Sequence, residues 1–168
     1  MAVKEILLIG NPDLRKLSED VTEYNDDLIN IVTDLKDTLI DFQSRKLIGR
    51  GIAAPQIGIF KKVIYIKVLE KSFALINPEI TWKSKETYDV WDSCFSFDVA
   101  FFVKTRRFKS IKVKYQTEEG FVKEEEFKND LSELLQHEID HLHGILATDR
   151  LLGNKEIILR EEWERRYK

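Results

Sequence analysis

The residues that could do chemistry in this chain lie in one short string, QHEIDHLHG at 136–144. His137 and His141 are four residues apart, so on an α-helix their rings lie one turn apart on the same face. Two such imidazoles can bind one divalent metal ion, and the neighbouring Glu138 can accept a proton from water on that ion. The string therefore predicts metal-assisted hydrolysis. His143 points to another face and is expected at the surface or behind the ligands.

A two-histidine site needs a third protein ligand, and the sequence offers one cysteine, Cys94. One cysteine cannot form an intramolecular disulfide. A lone cysteine is most often a small buried residue, and otherwise a nucleophile or a metal ligand. Because the ligand set is incomplete without it, Cys94 is a candidate ligand.

Composition limits the class of protein. The chain has 168 residues, 43% hydrophobic and 34% charged, with a net charge of −3. This predicts a single domain over residues 1–168 with a real hydrophobic core. This net negative charge would not attract DNA or anionic membranes. The apolar run 6–9 is too short for a signal peptide or a membrane span, so we expect a soluble, cytoplasmic protein.

The elements that must position these residues follow from periodicity and turn signals. The spacing predicts an α+β fold, with antiparallel β-sheets packed around a central metal-binding helix and with an N-terminal amphipathic helix and a C-terminal helix. The helix with the histidines is apolar on most sides and should be buried. Asn77-Pro78 predicts a bend or an edge position. The expected helices are 25–45, 130–143 with a cap at Asn129-Asp130, and 154 to the end; the expected strands are 62–69, 73–80, several within 81–116, and 121–127.

Three segments in this order and spacing resemble the signature motifs of peptide deformylases. They are GRGIAAPQIG at 49–58, DSCFS at 92–96 and QHEIDHLHG at 136–144. The likeness extends over the whole chain, which is identified as a divergent member of that family.

The resemblance implies a metal site and a base. Cys94, His137 and His141 correspond to the family's ligands for one divalent ion per chain, with the fourth position open to water. Glu138 corresponds to the general base and acid. The family favours Fe²⁺ as the native ion, while Zn²⁺, Ni²⁺ and Co²⁺ also suit this ligand set.

The resemblance also implies how the substrate is held. Gln56 and the backbone N–H of Phe95 correspond to donors to the carbonyl oxygen under attack. Gly49 and Gly51 correspond to the segment whose main chain pairs with the peptide substrate as an added strand.

The second motif departs from the family's usual Glu-Gly-Cys-Leu-Ser. Asp92 is shorter than glutamate, so its expected salt bridge to Arg106 or Arg107 would need a shifted backbone. Ser93 replaces glycine, which costs conformational freedom if φ there is positive. Phe95 adds bulk but keeps its N–H.

Two further departures concern the expected substrate pocket. Arg50 and Glu133 stand where the family usually has apolar residues, and Glu133 lies one turn before His137. One interpretation is that both side chains turn to solvent. The other is that they pair across the pocket mouth and shift selectivity toward a small or polar first side chain.

The main hypothesis is a peptide deformylase that removes the formyl group from the N-terminal methionine of new polypeptides and releases formate. An alternative is a related hydrolase for another N-acyl amine, based on Arg50 and Glu133. A third is a metal-bound, weakly active binding module that contacts the ribosome transiently through the C-terminal helix. The mixed charge of that helix argues against strong RNA binding.

Overall fold

The observed elements confirm the α+β prediction. The computed structural model describes residues 2–69 and 71–168. Within them lie helices α1 (Asp26–Lys46), α2 (Asp130–Leu142) and α3 (Arg160–Tyr167), and strands β1 (Gly51–Ala53), β2 (Val63–Val68), β3 (Lys71–Lys83), β4 (Thr87–Asp92), β5 (Phe101–Phe108), β6 (Ser110–Gln116), β7 (Val122–Lys128) and β8 (Ile157–Leu159).

The strands form two antiparallel sheets. The larger sheet has five strands in the order β1-β2-β3-β6-β7, and the smaller has three in the order β4-β5-β8. Short β1 therefore lies at an edge of the larger sheet and pairs through one side with β2. In the described residues, no helix has the length and apolarity needed to cross a membrane.

Strand β2 is buried on both faces because helices cover the sheet from both sides. Val63 and Tyr65 pack in the core that contains the apolar face of α1, while Ile64 and Ile66 pack in the core that contains α2. Successive side chains of a strand point to opposite faces, so one apolar run supplies both cores.

Helix α2 is the central helix, as predicted. Ten of its residues are buried, including both candidate metal-binding histidines. The helix begins at Asp130 with Asn129 as its N-cap residue, as predicted. Asn129 precedes the helix with φ of 52°, and its side chain makes no capping hydrogen bond. Asn25 at α1 does accept hydrogen bonds from the N–H groups of Asp27 and Leu28, which is how an N-cap stabilises a helix.

Asn77-Pro78 forms a bend inside the sheet, so the edge alternative was wrong. Strand β3 lies between β2 and β6, and its register with β6 shifts between Ile76 and Glu79. Asn77 has φ of 50°, and its side chain hydrogen-bonds both the N–H and the carbonyl of Val21. These bonds hold the bulge in place.

The C-terminal segment is not one helix from residue 154, and that prediction was wrong at its start. Ile157–Leu159 form β8, which pairs with Phe101–Val103 of β5, and α3 begins only at Arg160. The apolar, partly β-branched run of β8 suits the free edge of β5 better than a first helical turn. Its pairing fixes where α3 starts.

We predict that Leu135→Ala in α2 lowers the free energy of unfolding by about 2–5 kcal/mol, because it removes fully buried methyl groups. Leu135 has no solvent-exposed surface, whereas Leu17 is 71% exposed. Leu17→Ala is the matched control, with an expected change within about 0.5 kcal/mol. Urea denaturation measures both, and equal effects would contradict a core centred on α2.

Candidate active site

Two histidines and one cysteine meet at the buried end of a cleft. His137 Nε2 lies 3.2 Å from His141 Nε2, which lies 3.3 Å from Cys94 Sγ. All three side chains are buried, and their ligand atoms lie within 4.8 Å of one another. Ligands at about 2.1–2.3 Å from a tetrahedral ion are about 3.4–3.8 Å apart, so the set fits one ion.

Cys94 is placed by the end of β4 and a tight turn after it. The carbonyl of Cys94 accepts hydrogen bonds from the N–H groups of Phe97 and Val99. Ser93 is absent from the positive-φ residues of the described chain, so serine replaces glycine there without backbone strain. Its hydroxyl instead donates to the carbonyl of Phe101, across to β5.

Asp92 connects the metal site to a buried ion pair. Its Oδ1 lies 2.8 Å from His137 Nδ1, and its Oδ2 accepts a 2.8 Å hydrogen bond from Arg107. The partner is thus Arg107, while Arg106 pairs with Asp89. A carboxylate on the outer ring nitrogen fixes a ligand histidine's orientation and tautomer.

Arg107 extends the network back to α2. Its Nη1 donates to Asp140 at 2.6 Å, and Arg150 binds both oxygens of the same carboxylate. Arg107 is 2% and Asp92 4% exposed, and buried charges of this kind are retained only when paired. The network therefore ties β4 and β5 to the helix that carries the histidines.

The electrostatics follow from burial and these charges. Burial alone would raise the pKa of Asp92, but His137 and Arg107 outweigh it and hold that pKa well below its usual range. Burial alone would lower the pKa of His137, but Asp92 and Cys94 raise it. Burial and the charge of His137 lower the pKa of His141. The two rings are thus inequivalent, since only His137 contacts Asp92.

Glu138 has the environment of a proton carrier. It is 3% exposed, and burial raises its pKa to about 7. Its Oε2 is buried and has no hydrogen-bond partner among the described residues. A carboxyl that titrates near neutral pH can both accept and release a proton there.

Gln56 aims its amide nitrogen at the metal ligands. Its Oε1 accepts a hydrogen bond from the N–H of Ala53, so Nε2 lies 3.4 Å from Cys94 Sγ and 3.3 Å from Ser96 Oγ. Phe95 begins the 3-10 turn Phe95–Phe97, and the first N–H groups of a helical turn have no partner within it. Both candidate donors therefore flank Cys94.

The glycines at the start of β1 make room for their neighbours. Gly49 has φ of 114°, and a Cβ there would lie 2.3 Å from the Phe95 ring. A Cβ on Gly51 would lie 3.0 Å from Glu138 Oε1. The chain here is held by Gln43 Nε2, which donates to the Gly49 carbonyl, and by the Lys67 N–H, which donates to the Arg50 carbonyl.

A cleft of about 500 Å³ joins these parts, between the start of β1 and the end of β4. Arg50 and Glu133 both line it and form an ion pair, with Arg50 Nη2 3.3 Å from Glu133 Oε1. The Glu133 side chain is 15% exposed. The structure therefore favours the interpretation that the two residues pair over the interpretation that both turn to solvent.

Sequence reasoning missed that the C-terminal segment lines the same cleft. Arg160 and Trp163 of α3 and the nearby Trp91 are lining residues. In the sequence, this was indicated by Trp163, an aromatic residue in a highly charged segment. It suggested that the segment packs against the domain, but not where. His143, expected outside the site, is exposed, and its Nδ1 lies 2.9 Å from the Ile139 carbonyl.

Comparison with known proteins identifies a single family over most of the chain. The family model for polypeptide deformylase matches residues 3–156. Peptide deformylase 2 of Clostridium perfringens is 39% identical over 160 residues, covering 94% of this chain and 99% of that protein. Peptide deformylase of Thermotoga maritima is 36% identical over 157 residues, covering 94% and 92%.

Solved structures agree with the relatives. The crystal structure of peptide deformylase from Thermotoga maritima superposes with a TM-score of 0.84 at 35% identity, covering 91% of this chain and 100% of that one. A peptide deformylase from Legionella pneumophila gives 0.83 at 30% identity, covering 92% and 89%. The chain therefore belongs to the polypeptide deformylase family, a family of metal-dependent hydrolases, and its Cys94, His137 and His141 form a cluster that could hold a metal ion.

We predict that Asp92→Asn weakens metal affinity by about 10- to 100-fold, because it removes the charged partner of His137 Nδ1. Asp89→Asn is the matched control, since it lies on the same strand and pairs with exposed Arg106. Competition with a chromophoric chelator measures both variants. Equal affinity in Asp92→Asn and the control would show that Asp92 does not support the ligand.

Proposed function

We propose that this chain removes the N-formyl group from newly made polypeptides that begin with formyl-methionine, releasing formate. The observation that carries the proposal is the position of Glu138, a buried carboxyl beside the cluster of Cys94, His137 and His141 that could hold a metal ion. Family membership over residues 3–156 supports the same reaction.

The residues around the site divide the chemistry between them. Cys94, His137 and His141 would hold a divalent ion, which would supply the Lewis acidity that lets water ionise near neutral pH. Glu138 takes a proton from the attacking water as the water oxygen bonds to the formyl carbon. Glu138 then gives a proton to the amine nitrogen as the carbon–nitrogen bond breaks. Formate and a free N-terminus result.

Gln56 and the Phe95 N–H are placed to stabilise the charge that develops on the formyl oxygen. Both flank Cys94, and the Gln56 amide is held by the Ala53 N–H. Donors fixed before the reaction cost no reorganisation, and losing one typically costs about 100- to 1000-fold in rate. Their roles, like that of Glu138, belong to the proposal.

The peptide is proposed to bind along the unpaired edge of β1. Because β1 is the first strand of its sheet, its outer side can accept one more strand by main-chain hydrogen bonds. Gly49 and Gly51 have no Cβ, so Phe95 and Glu138 can lie close to the main chain that would pair with the peptide. Recognition by backbone suits substrates that share only their first residue.

The native metal ion, the cellular location and a contact with the ribosome are also part of the proposal. One thiolate and two imidazoles suit Fe²⁺, which we propose as the native ion, and also Zn²⁺, Ni²⁺ or Co²⁺. Residues 1–168 are proposed to act as one catalytic domain in the cytoplasm. Transient ribosome contact through α3 stays a prediction, and it is weakened because Arg165 and Arg166 pair with Glu162 on the same helix.

We predict that Glu138→Gln lowers kcat by about 100- to 10,000-fold, because it removes the proton carrier and leaves the three ligands in place. Formate release from formyl-Met-Ala measures activity, and elemental analysis should find one metal ion per chain as in the unchanged protein. Glu126→Gln, at an exposed position of β7, is the control. Normal turnover by Glu138→Gln would exclude the proposed mechanism.

The Arg50–Glu133 ion pair gives the site a second testable property. Burial raises the pKa of Glu133, and Arg50 opposes that rise. In the pocket proposed for the side chain of the substrate's first residue, this charged pair stands where apolar residues would contact methionine. We therefore propose that it weakens selection for methionine among formylated peptides. The relatives do not favour the alternative of a different N-acyl amine.

We predict that Glu133→Ala combined with Arg50→Leu raises the preference for formyl-Met-Ala over formyl-Ser-Ala about 10-fold, the usual value of a small change in an apolar pocket. The ratio of the two kcat/KM values measures it. Each single variant should give less than the pair, because it leaves one charge behind. A strong methionine preference that is the same in all variants would refute the role in selectivity.

A further inference from the structure

The C-terminal segment forms one wall of the cleft, although it lies beyond the stretch that the family model matches. That match ends at residue 156, and β8 and α3 follow at Ile157–Leu159 and Arg160–Tyr167. Pairing of β8 with β5 brings α3 back over the smaller sheet. Arg160, Trp163 and Lys168 then line the cleft.

Arg160 is held at this wall by contacts that orient its guanidinium. Its Nε donates to the Val99 carbonyl, and its Nη2 donates to Ser93 Oγ at 3.4 Å. The guanidinium lies 4.5 Å from the centroid of the Phe102 ring, on which Trp163 also stacks. A planar guanidinium fixed on an aromatic face is pre-organised to donate its remaining hydrogens.

The charge of Arg160 is only weakly compensated. Its side chain is 22% exposed, and its ion pair with Glu164 spans 3.8 Å. Burial lowers the pKa of Arg160, and Glu164 offsets this only in part. Arginine keeps its charge at neutral pH, so a half-buried cation faces the cleft with donors to spare.

The position of Arg160 decides which part of a ligand it would meet. Its partners Ser93 and the Val99 carbonyl flank Cys94, whereas Arg50, which lines the same cleft, pairs with Glu133 of α2. A peptide whose formyl end lies at Cys94 therefore meets Arg160 with backbone beyond its first residue. The acceptor present there in every polypeptide is a carbonyl oxygen.

We propose that Arg160 binds a backbone carbonyl oxygen of the substrate beyond its first residue, so that the C-terminal wall favours longer peptides over short ones. This inference rests on the proposed function. Losing a hydrogen bond from a charged donor should weaken binding of longer peptides about 10-fold or more.

The test compares Arg160→Gln with the exposed control Arg165→Gln on a series of C-terminally amidated substrates: formyl-Met, formyl-Met-Ala and formyl-Met-Ala-Ser. We expect Arg160→Gln to raise KM about 10-fold for the longest amide, with kcat within about two-fold and little effect on the shortest. Arg160→Lys, which keeps the charge, should recover part of the loss.

Several results would overturn this inference. If Arg160 only anchors α3, its loss should change kcat and KM alike for all three lengths. An effect seen only with free-acid peptides would mean that Arg160 binds a terminal carboxylate instead. Binding of the product Met-Ala-Ser amide, followed by NMR titration, tests the same contact without turnover. If the unchanged protein releases no formate, the proposed function is rejected. The binding titration would still decide whether Arg160 contacts the peptide.

Discussion

The buried carboxylate of Asp92 is the constraint on which the site depends. One oxygen contacts His137 and the other accepts a hydrogen bond from Arg107. Asp92 ends β4 two residues before Cys94. The end of this strand therefore positions both the carboxylate beside the His137 ring and the thiol beside the two histidines. Arg107 then binds Asp140, next to His141 in sequence. Removing one member of such a network leaves a buried charge unpaired, which typically costs about 3–5 kcal/mol.

Burial and access make opposite demands on this site, and the sheet arrangement satisfies both. Helix α2 must be enclosed, because enclosure raises the pKa of Glu138 to about 7. The substrate must nevertheless reach that carboxyl. The larger sheet ends at β1, directly beside Glu138, because Gly51 has no Cβ to hold that carboxyl away. A peptide bound at this edge would complete the sheet and exclude water from the charges inside, which strengthens them.

The sequence allowed the central helix and the cluster of Cys94, His137 and His141 to be predicted, because helical spacing and family motifs are local signals. It could not choose Arg107 over Arg106 as the partner of Asp92. Adjacent residues of a strand point to opposite faces, and only the pairing of β4 with β5 decides which one faces inward. Strand β8 was missed for a similar reason, because its pairing partner β5 lies about 55 residues earlier in the chain. The sequence placed the cap of α2 correctly at Asn129 but could not show that its side chain makes no capping hydrogen bond, since residue type does not give the backbone angles.

The departures around Cys94 are connected to one another in space. Ser93 replaces the glycine expected from the family, and its hydroxyl accepts a hydrogen bond from Arg160. Val99 has φ of 49°, which is costly for a β-branched residue, and its carbonyl accepts the second bond from the same guanidinium. The C-terminal wall therefore contacts the loop that contains Cys94. The Ser93 hydroxyl also donates to the Phe101 carbonyl, so this one side chain links the altered motif to both β5 and α3.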